Sequence, residues 1–261
     1  MTIVERVNAE RVVLLGWSRA ILMQLAHPLV GAGVTQHSTF RGGAIEAAVR
    51  LHHTVGAMLS LVFGDDGGRA AAIARIRAIH RTINGTLPGP IGPFAAGTPY
   101  SAEDPALLLW VHATLLDSSA DIYQRVIGRL SVAELDALCA ESAPLLAELG
   151  GDLSSTPQRW SDLQDYMSSI YSSGALVVSP DARLLGLAVL SPRAAGVPLP
   201  LAGFHRLIAT GLLPPSLRAA YGIAWSPGHQ ARFTRALDVV RGLRRVAPPF
   251  VARWPQARRR A

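Results

Sequence analysis

Apolar residues in this chain recur at spacings of three and four, and convincing two-residue alternation is rare. That period gathers apolar side chains into one stripe along an α-helix, so the chain is confined to folds built from packed helices. Start and stop signals divide the stripe. Asp104 can cap a helix whose first turn holds Pro105, and Ser131-Val132-Ala133-Glu134 is a capping box. Helices are expected over 12–26, 44–63, 69–84, 105 to about 130, 131–149, 161–171, 204–212 and 227–246. Pro28 bends or ends the first. Gly64-Asp65-Asp66-Gly67-Gly68 ends the second, Gly85 the third, and Pro248-Pro249 the last. Residues 87–99 read as a Pro- and Gly-rich loop, 179–200 as a partly irregular segment, and 175–178 as at most a weak strand. No repeat or clean linker divides the chain. The expected architecture is all-α, a single helical domain over 1–261, with an Arg-rich, flexible tail at 253–261.

Composition narrows the class. Of 261 residues, 49% are hydrophobic and 16% charged, against about 25% charged in an ordinary soluble domain. This excludes intrinsic disorder and favours an unusually apolar interior or groove. The single cysteine, Cys139, permits no intrachain disulfide and no Cys-rich zinc site. The apolar stretch 12–34 is interrupted by Arg19, Gln24, His27 and Pro28, and reads as a core helix rather than a membrane span. The first ten residues carry Glu5 and Glu10 and no basic run, so no secretory signal is visible and a cytoplasmic location is expected. Net charge is +7 and the chain has no lysine. Arg241, Arg244, Arg245, Arg253, Arg258, Arg259 and Arg260 crowd the C-terminus. They read as a solubilising tail, with anionic lipid and nucleic acid as the competing readings.

Several chemistries lack their motif. There is no GxGxxG or GxxxxGK[ST] phosphate loop, no GxSxG elbow, no HExxH helix, and no ExxH pair of the kind that builds di-iron bundles. Histidine remains: His27, His37, His52, His53, His80, His112, His205 and His229. An imidazole among apolar residues needs a hydrogen-bond partner or a metal. For any one of them, a hydrogen-bonded core histidine is the commoner outcome. Haem held in a helical pocket asks for one neutral imidazole, apolar walls and cations for its carboxylates. His80, flanked by Arg77 and Arg81 with Ile76, Ile79 and Ile83 nearby, meets that loose description. Arg50, His53 and Thr54 stand three and four residues apart and share a helical face. Over an iron centre the trio could hold dioxygen or move a proton; otherwise it is a solvated patch with Arg50 paired to Glu46.

Ordered blocks then carry a resemblance. They are Gln24-Leu25-Ala26-His27-Pro28 with Gly31-Ala32-Gly33-Val34 and His37-Ser38; Arg50-Leu51-His52-His53-Thr54; Phe63-Gly64; and Arg77-Ala78-Ile79-His80-Arg81-Thr82-Ile83-Asn84-Gly85. Tyr100-Ser101-Ala102 and Leu109-Trp110-Val111-His112-Ala113-Thr114-Leu115 follow. Gly211-Leu212-Leu213-Pro214-Pro215 and Tyr221-Gly222-Ile223-Ala224-Trp225-Ser226-Pro227 close the series. Over roughly 15–254 the chain resembles the oxygenase family of the latex clearing protein (rubber oxygenase) and the mycophenolic-acid-pathway oxygenase. The resemblance implies a globin-like core around haem b, with dioxygen as co-substrate and His80 as the proximal iron ligand. It also implies a distal helix carrying Arg50 and Thr54. In the rubber-cleaving branch a lysine precedes that threonine; here His53 stands in its place. Three readings stay open for His53: iron ligand, base, or a side chain turned away. Polyisoprene as the substrate is therefore not carried over. Cofactor-side candidates are His80, Arg77, Arg81, His112 and His27. His112 is expected to reach Asp104 or a propionate, and His27 to brace the bend at Pro28.

The expected function is a haem b-dependent oxygenase acting on a hydrophobic small molecule, isoprenoids included, by C=C cleavage or a related oxidation. A non-catalytic haem- or lipid-binding helical protein is the alternative. No nucleic-acid partner is expected, because the arginine cluster lies outside the recognisable blocks; a peripheral membrane contact stays open.

Overall fold

The computed structural model describes residues 1–37, 44–191 and 198–258, and only the backbone of 44–52 and 258. Helices α1 (Ile3–Asn8), α2 (Trp17–Leu25), α3 (Pro28–His37), α4 (Ala44–Phe63) and α5 (Asp66–His80) lead into a two-stranded hairpin, β1 (Asn84–Thr86) and β2 (Pro99–Ser101). Helices α6 (Pro105–Val126), α7 (Val132–Glu148), α8 (Trp160–Ser172), α9 (Pro180–Leu190) and α10 (Leu199–Leu212) follow. The chain closes with α11 (Pro215–Ala220), α12 (Pro227–Val246), α13 (Pro249–Ala252) and α14 (Pro255–Arg258). The all-α class holds.

Helix α6 occupies the centre. Asp104 caps it by accepting from the Ala106 amide at 2.8 Å, and Pro105 sits in its first turn. One end, Ala120, Ile122, Tyr123 and Val126, packs with Val7, Val13, Leu138, Ile208 and Phe233. The other, Trp110 and Ala113, packs with Leu22, Met23, Cys139, Leu163 and Tyr221. The expected helix 12–26 is divided: Arg11–Gly16 winds as a 3₁₀ turn before α2. Gly16 lets this turn lie close against α6, because a Cβ there would stand 2.7 Å from the Ser118 carbonyl oxygen. Pro28 bends the chain as anticipated, through 105° between the 11–25 segment and α3. Gly31 makes the bend possible, since a Cβ there would meet the Leu25 carbonyl at 2.8 Å. Among the described residues no single helix is long and apolar enough to cross a membrane.

The structure departs from expectation elsewhere too. Helix α5 stops at His80 rather than Asn84, because Asn84–Thr86 pairs antiparallel with Pro99–Ser101, Gly85 opposite Tyr100. A strand of three residues is too short for alternation to show. Helix α1 was not anticipated, although Thr2 and Glu5 form a full capping box. Helix α9 lies within the segment expected to be irregular, capped by Ser179 with Pro180 in the first turn; residues 175–178 form no strand. Finally, of the tail expected to be flexible, residues 253–257 are docked, while 259–261 lie outside the described residues. Arg253 pairs with Glu10, Trp254 donates its amide to the Ala9 carbonyl, and Ala257 is buried.

Candidate active site

The hairpin of α4 and α5 brings together residues equidistant from its turn. Gly64 follows α4, and Asp65 caps α5 by accepting from the Gly68 amide at 2.7 Å. Gly56, Ala57 and Ser60 of α4 face Gly68, Ala71 and Ala72 of α5, and His53 faces Arg75, around an open cleft of about 350 Å³. Small residues keep the cleft from filling. Thr54, beside His53, is also exposed on α4. The side chain of Arg50 lies outside the described residues.

His80 ends α5 beyond this cleft, five residues past Arg75 and so about 7.5 Å further along the axis. The structure therefore does not place His80 among the residues lining the cleft that His53 and Arg75 share. His80 is half-buried, and its Nδ1 is buried with no hydrogen-bond partner. Burial pushes its pKa below the ordinary histidine value, and the Glu103 carboxylate opposes that only in part. The ring is neutral at neutral pH with a lone pair to give. Arg77 and Arg81 are exposed and have no ion pair among the described residues. Helix α5, which carries Arg77 and His80 and is followed by Arg81 as its C-cap, buries none of its fifteen residues, and Ile79 is 52% exposed. An Ile- and Ala-rich helix of that kind has a face still to be covered.

His27 lies on the other side of the same corner. It stands in the bend between α2 and α3, 8% exposed, against the Phe94 ring at 5.4 Å. Its Nδ1 is likewise buried and unpartnered. Burial pushes its pKa down to about 4, against a smaller pull from Asp104. Glu103 and Asp104 are consecutive, so the residues that feel His80 and His27 adjoin at the start of α6. His27 also lines an apolar pocket of about 470 Å³ with Leu107, Leu109, Trp110, Tyr166 and Ile170, and Asp104 and Asp152 stand at its polar edge. The Trp110 indole N–H is buried without an acceptor.

His112 does not belong to this corner. Its Nε2 lies 3.2 Å from the Ser142 hydroxyl on α7, not beside Asp104, and burial pushes its pKa down to about 4. Of the two partners expected for it, Asp104 or a propionate, Asp104 is not the one it meets: its ring fastens α6 to α7. His37, at the end of α3, sits 3.0 Å from the Asn84 carbonyl and 3.1 Å from the Tyr100 hydroxyl, and so ties the β-hairpin to α3. His205 approaches the Ser18 hydroxyl at 2.8 Å. These three are hydrogen-bonded histidines of the packing. Sequence reasoning missed Arg75 and Trp110 as site residues. The signal for Arg75 was the tight turn at Gly64-Asp65, which brings residues about ten positions either side of it face to face.

The donor chemistry fits a haem. One neutral imidazole with an unpartnered nitrogen is what an axial ligand requires, and two guanidiniums beside it without an ion pair among the described residues match a pair of carboxylates. Among the described residues no three His, Cys, Asp or Glu side chains converge as a metal site. Axial ligation of a porphyrin needs no such cluster.

A helical domain with one such imidazole on an uncovered helix is the class that fold and site define. The chain belongs to the family described as ER-bound oxygenase mpaB/B'/Rubber oxygenase, catalytic domain, which matches residues 4–242. It is 28% identical over 233 residues to an uncharacterised protein of Mycobacterium bovis and, equally, to one of Mycobacterium tuberculosis. Each alignment covers 87% of both partners. No solved structure matches the chain.

Proposed function

We propose that this oxygenase-family chain is haem-dependent and oxidises a hydrophobic small molecule at a carbon–carbon double bond. The observation that carries the reading is the unpartnered, buried Nδ1 of His80 on a helix that buries none of its residues. His80 would hold haem b, with Arg77 and Arg81 taking its carboxylates. When bound, haem supplies the binding and activation of dioxygen that an apoprotein lacks. The chain's own groups do the rest. His80 stays unprotonated because burial disfavours its cation. On α4, the Thr54 hydroxyl and His53 imidazole offer a donor and a proton carrier within one turn of each other, with Arg50 at the preceding turn. The pocket of Leu107, Leu109, Trp110, Tyr166 and Ile170 excludes water from an apolar substrate, and its Asp104 and Asp152 disfavour anionic ones.

The same pocket favours a second reading, a helical carrier that binds an apolar ligand without turnover. Absorption spectroscopy of freshly purified protein tests the first step. The expected result is a Soret band that His80→Ala abolishes and that hemin reconstitution does not restore in the variant. Wild-type protein that stays colourless after reconstitution overturns the haem assignment. Dioxygen uptake with a hydrophobic alkene then separates oxygenase from carrier.

A further inference from the structure

We propose that the outward stripe of α12 and α13 is a docking surface for membranes bearing anionic lipid. Helix α12 has two apolar sides. Phe233 and Leu237 are buried against the core. Val239, Leu243 and Val246, spaced four and three apart, line a different face and are 57%, 63% and 79% exposed. After the turn at Pro248, Phe250 and Val251 of α13 are also in water, at 61% and 50% exposure. Five large apolar side chains in water call for an occupant.

The charges around the stripe select that occupant. Arg232 and Arg235 precede Val239 by seven and four residues, so they lie on the same line of the helix. Both are exposed, as is Arg245. The one acidic residue of α12, Asp238, is already paired with Arg241 at 2.6 Å. Arg235 and Arg245 have no carboxylate partner among the described residues. In sequence, Arg258, Arg259 and Arg260 add three more cations shortly after. Aliphatic and phenyl groups beside permanent cations match the two layers of an anionic membrane surface. The apolar groups enter the acyl boundary while arginine stems reach up to the headgroups. A second copy of the chain would bring the same arginines and set like charge near like charge. A nucleic acid would satisfy the arginines and leave the apolar groups wet.

The surface lies on different helices from His53 and His80, and the inference stands whether or not the chain is an oxygenase. The test is co-sedimentation of the full chain with vesicles of phosphatidylcholine alone or phosphatidylcholine with one-quarter phosphatidylglycerol. Binding is expected on the anionic vesicles, at least tenfold weaker on neutral ones, and weakened again in 0.5 M salt. The triple variant Val239→Ser, Leu243→Ser, Val246→Ser and the pair Arg235→Gln, Arg245→Gln are each expected to lose most of it. All five positions are exposed, so circular dichroism should show both variants folded. Absence of vesicle binding, indifference to lipid charge, or a triple variant that binds like wild type overturns the proposal. A dimer in light scattering that the triple variant abolishes, without vesicle binding, assigns the stripe to a second copy instead. Duplex DNA that binds and is insensitive to the triple variant assigns the arginines to nucleic acid.

Discussion

Arg19 is 7% exposed, and all three of its guanidinium nitrogens are engaged. Nε donates to the Leu212 carbonyl at 2.9 Å, Nη1 to the Ser118 hydroxyl at 2.7 Å, and Nη2 pairs with Asp117 at 2.6 Å. Gln164 donates to the same aspartate at 3.1 Å. Arg19 therefore joins α2, α6 and the end of α10, and its partner Asp117 ties in α8. Arg19→Met removes the cation and leaves Asp117 largely buried and unpaired. The expected loss is about 3–5 kcal/mol in urea unfolding, because one charge of a buried pair is left uncompensated. In the sequence Arg19 reads only as an interruption of an apolar stretch; its partner Ser118 is 99 residues away, and no local pattern reports such a meeting. His112 shows the same limit. Its spacing marks it as an inward-facing histidine, but only the packing of α6 on α7 shows that Ser142, not Asp104, receives it. Its pKa, pushed down to about 4 by burial, gives stability a pH dependence. The unfolded chain takes up a proton near pH 6.5 that the folded chain refuses. Stability conferred by the neutral ring is thus fully present above that pH and is lost as pH falls towards 4. His112→Gln should flatten the pH dependence of the denaturation midpoint between pH 6.5 and 4 relative to wild type. An unchanged slope would show that the ring is not kept neutral.

At the scale of elements, legibility followed length and punctuation. Helix α4 lies at the expected 44–63 and α12 at 227–246, and the starts of α6 and α7 fall at their caps. Each is long enough for its apolar period to repeat, or is opened by a strong cap. Helix α1 and the strands of three residues offer no repeat, and α9 was hidden by the prolines around it, although Pro180 serves in its first turn. The candidate site was legible in part for the same reason. The Arg77–Arg81 block places His80 on a helix, but that the helix would bury nothing depends on what packs over it, which no period reports. The uncovered face of α5 yields a prediction that separates folding from binding. Ile79 is 52% exposed, so Ile79→Ser should change the stability of the haem-free chain by no more than about 0.5 kcal/mol. If that face is covered by haem, the same substitution should weaken hemin uptake several-fold in an absorbance titration. A large loss of apoprotein stability with unchanged hemin affinity would mean that the face is packed by protein instead.

At the scale of the molecule, the two ends of the chain close on one carboxylate. Glu10 is 2% exposed. It accepts from Arg244 through Nε at 2.5 Å and Nη2 at 2.7 Å, and from Arg253 Nε at 2.7 Å. Beside it Arg11 stacks over Trp254 at 4.8 Å. The consequence reaches the candidate site, because the docked end packs on α4: Ala9 and Ala257 are buried with Leu59 and Phe63, and Trp254 packs against the same group. The latch thus fixes the helix that carries His53 and Thr54. Burial alone pulls the Glu10 pKa upward, but the hydrogen bonds from Arg244 and Arg253 outweigh it and hold the carboxyl below its ordinary value. A carboxyl lowered on folding stabilises the native state fully above its unfolded pKa, about 4.3, and loses that contribution as pH falls through the lower folded value. Glu10→Gln should therefore cost stability at pH 7, by about 3–5 kcal/mol if the latch behaves as a buried pair with one partner removed. The difference from wild type should shrink as pH falls through the lowered folded value, where the native carboxyl is protonated too. Hydrogen exchange places the effect. Amides of 53–63 on α4 should lose protection in the variant, while those of 107–122 on central α6 keep theirs relative to the global stability. Loss spread evenly over both helices would mean that Glu10 contributes to overall stability and does not hold α4 in particular.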